Sequence, residues 1–290
     1  MPLIAPVTRL ASVSERERTT ALSAVTGSLR CPVCGSAVWL DGGSLRCDLG
    51  HSFDVARQGY VNIAAGRSGP GTADTAEMVA ARERFLGHGH YAPLADRLRR
   101  LAVGLGGEGL VVDLAGGTGY YLAAVLDGLP GRYGLCVDLS VPALRRAARA
   151  HPRAAAIAVD VWRDLPVRDQ VASVVLSVFG PRNPAEIDRV LAPGGALVVV
   201  TPGPDHLREL RESVGMIGID ERKPERLAES LGQMDRESVV KYEMCLDQAD
   251  AAAAVLMGPS AHHVSAEEVS TRLRAPITVT ADLRVQEYRR

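Results

Sequence analysis

Three cysteines and a histidine form two close pairs near the start of the chain. Cys31-x2-Cys34 is the first pair, and Cys47-x3-His51 follows twelve residues later. Zinc prefers thiolate and imidazole ligands, and a structural zinc ion takes four of them in a tetrahedron. In a chain without a secretory signal, clustered cysteines favour a metal over disulfides. The spacing therefore predicts a closed, structural zinc site.

A glycine-rich turn follows a short apolar run in VVDLAGGTG at 111–119. Gly116 and Gly119 let the backbone approach a ligand, and the helix start that follows offers free N–H groups. Asp138 ends the next predicted strand, where an acidic side chain can accept the hydroxyls of a ribose. The run lacks the G-x-G-x-x-G spacing of a pyrophosphate site. The pattern favours S-adenosylmethionine, with NAD(P) as the alternative cofactor.

The segments that must position these residues alternate between strands and helices from residue 110 onward. Strands are predicted at 110–114, 133–138, 155–160, 171–177 and 196–201, with helices between most of them. This alternation is typical of an α/β, Rossmann-like fold with a parallel sheet and helices on both faces. Two later strands are predicted at 238–246 and 276–285.

Composition divides the chain into four predicted parts. These are a leader at 1–29, a zinc-binding module at 30–65, a linker and helix at 66–91, and a catalytic domain at 92–290. The net charge of −1 shows no strong basic excess, so any RNA-binding surface must be local. The sequence has neither an apolar run of roughly 18 residues nor the apolar core of a secretory signal. These features predict a cytoplasmic protein without a membrane partner.

Four segments of the chain carry a resemblance to a known family. They are CPVCGSAVWL…RCDLGHSFDVARQGYVNI at 31–63, ADTAEMVAARERFLGHGHYAPL at 73–94, VVDLAGGTGYY at 111–121, and SVFGPRNPAEIDRVLAPGGALVVVTPGPDHLREL at 177–210. In this order, they resemble the RlmA-type 23S rRNA (guanine-N1)-methyltransferases. The resemblance covers roughly residues 30–290.

The resemblance implies a class I S-adenosylmethionine methyltransferase domain with an N-terminal zinc ribbon. Its zinc ligands fall on the four residues of the two pairs above. Its cofactor-contacting positions fall on Tyr91, Tyr121, Leu122 and His206, besides the general fold positions Gly116, Gly119 and Asp138. It implies methylation of a guanine N1 in a 23S rRNA hairpin loop and resistance to macrolides such as tylosin. Because the zinc-binding module has only a weak basic bias, we expect help with RNA binding from a second chain, in a homodimer, or from the arginines at positions 82, 84, 97, 99 and 100. The sequence does not mark the base that removes the N1 proton.

Two other functions stay open at this point. One is a small-molecule (antibiotic) methyltransferase in which the zinc ribbon acts as a lid. The other is a non-enzymatic zinc-ribbon RNA-binding protein with a degenerate cofactor pocket. The chain also departs from the family at His262, where some relatives carry Trp, and this change bears on which guanine is presented.

Overall fold

The computed structural model describes residues 14–63, 73–105, 107–216 and 230–290. Its helices are α1 Glu15–Val25, α2 Ala76–Gly87, α3 Ala92–Leu105, α4 Tyr120–Asp127, α5 Val141–Ala147, α6 Pro184–Val190, α7 Arg208–Val214, α8 Gln248–Leu256 and α9 Ala266–Arg272. Its strands are β1 Val38–Asp41, β2 Ser44–Cys47, β3 Ser52–Asp54, β4 Tyr60–Asn62, β5 Leu110–Leu114, β6 Gly134–Asp138, β7 Ala154–Ala158, β8 Ala172–Val178, β9 Leu191–Pro202, β10 Arg236–Leu246 and β11 Ile277–Arg289.

Among the described residues, the central sheet has eight strands in the order β10-β11-β9-β8-β5-β6-β7-β4. The pairs from β9 to β4 are parallel, whereas β11 is antiparallel to both of its neighbours. Strands β5, β7 and β8 are buried along their whole length. Their apolar runs are continuous because helices cover both faces of a parallel sheet. This confirms the predicted α/β, Rossmann-like fold.

The direction of strand addition reverses next to β5. The chain moves outward from β5 through β6 to β7, and then returns to β8 on the other side of β5. In open α/β sheets, ligands bind outside the carboxyl ends of the strands at such a reversal. The topology therefore directs a ligand to the loops that follow β5, β6 and β8.

The N-terminal segment takes part in this sheet. Strand β4 pairs in parallel with β7, where Val61 lies opposite Ile157. Leu22 and Val25 of α1 are buried in the same apolar cluster as Val112 of β5. The predicted leader and zinc-binding module thus supply a helix and an edge strand to the catalytic sheet. Residues 1–13 of that leader, 64–65 of the predicted module and 66–72 of the predicted linker lie outside the described residues, and the four domain bounds stay a prediction.

Strands β1, β2 and β3 form a separate antiparallel sheet in that order. Strand β2 and the turn after it carry the second metal-ligand pair, Cys47 and His51. Gly42 and Gly43 join β1 to β2 with φ values of +55° and +86°. Positive φ at both central residues is the requirement of a tight type I′ hairpin. Across this hairpin, Val38 lies opposite Cys47, which fixes the register of the metal-binding end.

A turn at 88–91 separates helices α2 and α3. Gly89 adopts a φ of +80° in this turn, and the turn leads into Tyr91, which is 2% exposed. Within the described residues, no helix combines the length and apolar character that crossing a membrane requires.

Candidate functional site

The four metal-ligand candidates converge at one point. The Sγ atoms of Cys34 and Cys47 are 3.7 Å apart, and Nδ1 of His51 lies 3.3 Å from the Cys47 sulfur and 3.6 Å from the Cys31 sulfur. Around a tetrahedral zinc, two sulfurs lie about 3.8 Å apart, and a sulfur and a nitrogen about 3.6 Å apart. The donor set therefore fits a zinc ion with four protein ligands, which leaves no position for substrate.

Two backbone turns create this convergence. The N–H of Gly35 donates to the carbonyl of Cys31, and the N–H of Gly50 donates to the carbonyl of Cys47, both at 2.9 Å. Both glycines have positive φ, at +74° and +82°, which a side chain would strain. Hydrogen bonds from Ser36 lower the pKa of the Cys34 thiol to about 6, so the ligand form is populated at neutral pH.

A cavity of about 600 Å³ opens at the carboxyl ends of β5, β6 and β8, where the strand order reverses. The glycine-rich turn after β5 forms its floor. Gly116 has no room for a side chain, since a Cβ would lie 2.6 Å from a carboxylate oxygen of Asp113. Gly117 has a φ of +57°. The turn therefore presents bare backbone to a ligand.

Asp138 stands beside this turn at the end of β6. Its Oδ2 accepts from the N–H of Gly117 at 2.8 Å, and its Oδ1 accepts from the N–H of Ser140 at 2.7 Å. Burial raises the pKa of Asp138, while these two N–H groups act in the opposite direction. Since a carboxylate offers about four acceptor positions, two remain for ribose hydroxyls.

Asp113, in β5, is the most deeply buried acidic side chain on the cavity wall. Its side chain is 0% exposed, and neither of its oxygens has a partner at hydrogen-bond geometry among the described residues. Burial and the neighbouring charge of Asp138 raise the pKa of Asp113 to about 8. A buried polar group without a partner calls for one from a ligand. A cationic group with N–H donors is the chemistry that fits it.

Tyr91 and His206 meet on the opposite wall. The Tyr91 hydroxyl lies 3.0 Å from Nε2 of His206, and the backbone N–H of Asp282 donates to Nδ1 at 3.3 Å. Burial lowers the pKa of His206 to about 4, so the ring is neutral at physiological pH. Burial also raises the pKa of Tyr91 well above its usual range. The pair is thus an uncharged, oriented hydrogen-bonding unit.

Arg82 of α2 holds the roof of the cavity together. Its guanidinium pairs with the carboxylate of Asp74 and donates to the carbonyl of Met257, just after α8, at 2.6 Å. The backbone carbonyl of Asp74 in turn accepts from the hydroxyl of Ser140 at 2.8 Å. Helices α2 and α8 are therefore joined above the glycine-rich turn.

The predicted cofactor residues divide into two groups in the structure. Five of them line the cavity: Tyr91, Gly116, Tyr121, Asp138 and His206. Gly119 and Leu122 do not belong to its lining. A Cβ on Gly119 would lie 3.0 Å from the Cα of Ala147, so this glycine permits α4 to pack on α5. The Leu122 side chain is fully buried in the core.

Several other cavity residues lie outside the predicted set of cofactor-binding residues. Among them are Asp113, Arg82 and Phe179. An acidic residue shortly before a glycine-rich turn is a usable sequence signal, and Asp113 stands in this place, one residue before the end of β5. The positions of Arg82 and Phe179 depend on long-range packing that has no local pattern.

Three features of the cavity together fit S-adenosylmethionine. They are the bare backbone at Gly116, the acceptor positions left on Asp138 and the unpartnered carboxyl of Asp113. The ribose hydroxyls of S-adenosylmethionine match the carboxylate, and its cationic amino acid part matches the buried acid. Strand β11 is inserted antiparallel between β9 and β10, and the cavity lies where the strand order reverses beside β5. This strand order and this cavity define a class I S-adenosylmethionine-dependent methyltransferase.

Comparison with known proteins identifies the family. Residues 29–64 match the family model for the N-terminal zinc ribbon of RlmA. A Micromonospora griseorubida protein to which 23S rRNA (guanine-N1) methylation is attributed is 46% identical over 286 residues, which cover 90% of this chain and 97% of the relative. The Streptomyces fradiae 23S rRNA (guanine(748)-N(1))-methyltransferase is 47% identical over 251 residues, with 84% and 89% covered. The chain therefore belongs to the RlmA-type 23S rRNA (guanine-N1)-methyltransferase family. Its zinc-ribbon module, its four-residue zinc cluster and its cofactor class agree with this family.

Proposed function

We propose that this protein transfers a methyl group from S-adenosylmethionine to N1 of a guanine in a hairpin loop of 23S rRNA. The observation that carries the proposal is the combination, in one chain, of the zinc-ribbon cluster and a methyltransferase cavity at the reversal beside β5. The near full-length identity of 46% and 47% to the two actinomycete relatives supports the same substrate.

We assign the cofactor-binding roles as follows. Asp138 accepts the ribose hydroxyls, Gly116 gives the backbone access to the ligand, and the carboxyl of Asp113 faces the cationic amino acid part. Tyr91 and His206 orient the ligand from the opposite wall. These roles are supported by the cavity lining and by the free acceptor capacity of the two carboxyl groups. The roles of Gly119 and Leu122 rest on the family resemblance. Because neither residue lines the cavity, we propose that both act indirectly, Gly119 through the packing of α4 on α5 and Leu122 through the core.

Bound S-adenosylmethionine supplies an electrophilic methyl group on a sulfonium centre. Guanine N1 carries a proton at neutral pH, so methyl transfer also requires the loss of that proton. His206 is unsuited as the base, because its Nδ1 already accepts from Asp282 and burial lowers its pKa to about 4. The high pKa of Tyr91 leaves it a neutral hydrogen-bonding group. The contribution of this pair is positioning.

The proposal includes the biological setting. Methylation of a guanine in the ribosomal exit tunnel would obstruct macrolides such as tylosin, so resistance is the proposed role. Ribosomal RNA places the reaction in the cytoplasm. A homodimer is also proposed, since the zinc ribbon has little net charge and a second chain would extend the RNA-binding surface; sedimentation of the holoenzyme tests this point.

A transfer assay tests the substrate class. The zinc-loaded protein is incubated with S-adenosylmethionine labelled in its methyl group and with either 23S rRNA or a macrolide. Label in the RNA and not in the macrolide is expected. Label in the macrolide alone would establish the small-molecule alternative. Absence of both transfer and S-adenosylmethionine binding would support a non-enzymatic RNA-binding protein.

A further inference from the structure

Two histidines and a buried aspartate meet at a point outside the cofactor cavity. Nδ1 of His88 and Nε2 of His90 each lie 2.8 Å from Oδ2 of Asp250, and these three atoms all lie within 4.8 Å of one another. The three residues belong neither to the cavity lining nor to the zinc-ribbon cluster. They form a second group of side chains whose donor atoms converge as metal ligands do.

The turn between α2 and α3 brings the two histidines to the same side. Gly89 separates them, and its φ of +80° is a conformation that a side chain would strain. The ring of His90 packs on the fully buried ring of Phe85, with the centroids 4.7 Å apart. His90 is thus held in place, whereas the side chain of His88 is 47% exposed and has room to adjust.

Asp250 is oriented from the opposite side by Arg84. Asp250 lies in the first turn of α8 and is 5% exposed. Its Oδ1 accepts from Nε of Arg84 at 2.8 Å, which leaves Oδ2 for the two histidines. Carboxylates that bind metals are commonly held by such a second hydrogen bond. The carboxylate is therefore positioned before any ion arrives.

The charge around the cluster favours a cation. Arg84 pairs with Asp250 and also lies 3.7 Å from the carboxylate of Asp247. Two carboxylates and one guanidinium carry a net charge of −1, and the imidazoles add none when they are neutral. A divalent ion at this point would meet an attractive potential.

The distances and the donor types indicate which kind of ion fits. At bond lengths of about 2.1 Å, ligands at right angles lie about 3.0 Å apart and tetrahedral ligands about 3.4 Å apart. The observed 2.8 Å is close to the first value, and the half-exposed His88 can open the set slightly. Two imidazoles and one carboxylate suit a divalent transition-metal ion, whereas Mg²⁺ and Ca²⁺ prefer oxygen ligands.

We propose that His88, His90 and Asp250 form a second metal site, which binds Zn²⁺ or a similar divalent transition-metal ion. The ion joins the turn that leads into Tyr91 to α8, whose residue Ala254 lines the cavity. Because none of the three ligands lines the cavity, the role of the ion is structural. Three protein ligands hold an ion less tightly than four, so gel filtration should leave only the zinc of the ribbon. The inference does not depend on the RNA substrate.

Titration of the holoprotein with Zn²⁺ tests the proposal. The protein is first passed through gel filtration, so that only the ribbon is loaded, and calorimetry then measures the binding of added Zn²⁺. The thermal midpoint is recorded with and without the added ion. The variants are His88→Gln and His90→Gln, with His263→Gln, at an exposed histidine outside the cluster, as the matched control. The ribbon zinc content and the thermal midpoint without added ion show whether a variant is folded.

Wild type and His263→Gln are expected to bind about one further Zn²⁺ per chain, and the thermal midpoint should rise because the site exists only in the folded protein. Mg²⁺ should produce neither effect. His88→Gln and His90→Gln should bind the further ion at least about tenfold more weakly and lose the shift in thermal midpoint.

Two results would overturn the inference. If wild type binds no Zn²⁺ beyond the ribbon, the contacts are plain hydrogen bonds from two histidines to Asp250. If His88→Gln binds the further ion within about threefold of wild type, the ion lies at another site. Because the ring of His88 is half exposed, this variant decides the outcome even if His90→Gln does not fold.

Discussion

The hydroxyl of Tyr91 and Nε2 of His206 are 3.0 Å apart in the buried wall of the cavity. Because the N–H of Asp282 donates to Nδ1, the ring proton resides on Nε2 and is donated to the Tyr91 oxygen. The hydroxyl hydrogen of Tyr91 is then free to be donated to a ligand. A backbone group on β11 thereby sets the direction of a hydrogen bond in the cavity wall.

Removing this hydroxyl should weaken cofactor binding. Tyr91→Phe leaves the Nε2–H of His206 without a partner and removes one donor, so the Kd of S-adenosylmethionine should rise by about tenfold. Isothermal titration calorimetry measures the change. Tyr133→Phe, which removes a hydroxyl outside the cavity, is the matched control and should bind as wild type does. Equal affinity in Tyr91→Phe and Tyr133→Phe would refute the role of the pair.

The burial of neutral His206 should make the fold sensitive to acid. The pKa of His206 is about 4 in the folded protein and 6.5 when unperturbed. As the pH falls from 6.5 towards 4, the unfolded chain takes up a proton that the folded protein does not, so the free energy of unfolding decreases. At pH 5 the contribution is about 2 kcal/mol. Urea unfolding at pH 5 and pH 7 should therefore show a smaller pH-dependent loss in His206→Gln than in wild type. Equal losses would count against a buried, neutral ring.

Cofactor binding should release a proton from Asp113. The carboxyl is protonated at pH 7, since its pKa is raised to about 8, and a cationic ligand beside it lowers that pKa. Calorimetry at pH 7 in buffers of different ionisation enthalpy measures the number of protons released. The release should fade above pH 8, where the free protein is already ionised, and it should be absent in Asp113→Asn if that variant still binds. Release of the same size in Asp113→Asn would assign the proton to another group.

The zinc cluster should be required for the fold of the N-terminal ribbon. Cys34→Ser removes one of four ligands, and a module of this size depends on the metal for much of its folding free energy. Metal analysis should give about one zinc per wild-type chain and clearly less in the variant, with a lower thermal midpoint. Cys245→Ser, at an exposed cysteine outside the cluster, should keep the zinc. Loss of zinc in both variants, or in neither, would contradict the assignment.

The sequence predicted best what local patterns determine. The strand at 110–114 has its predicted bounds because a buried apolar run meets a glycine-rich turn there. The four zinc ligands follow from their spacing alone. In contrast, Tyr60–Asn62 pairs with β7 far along the chain, and three residues carry no local sign of such pairing. Likewise, no pattern in the sequence near Phe179 predicts its positive φ, because this conformation accompanies the packing of its loop against Ala115, which is distant in the sequence.

The most direct test of the central claim is primer extension on 23S rRNA after incubation with the zinc-loaded protein and S-adenosylmethionine. A methyl group on guanine N1 blocks base pairing, so reverse transcriptase should stop next to one guanine, and only when the cofactor is present. The guanine that corresponds to position 748, for which the Streptomyces fradiae relative is named, is the first to inspect. A single cofactor-dependent stop in a hairpin loop is the predicted result. Methyl incorporation into the RNA without any stop would contradict N1 as the target atom, and the lack of incorporation would contradict rRNA as the substrate.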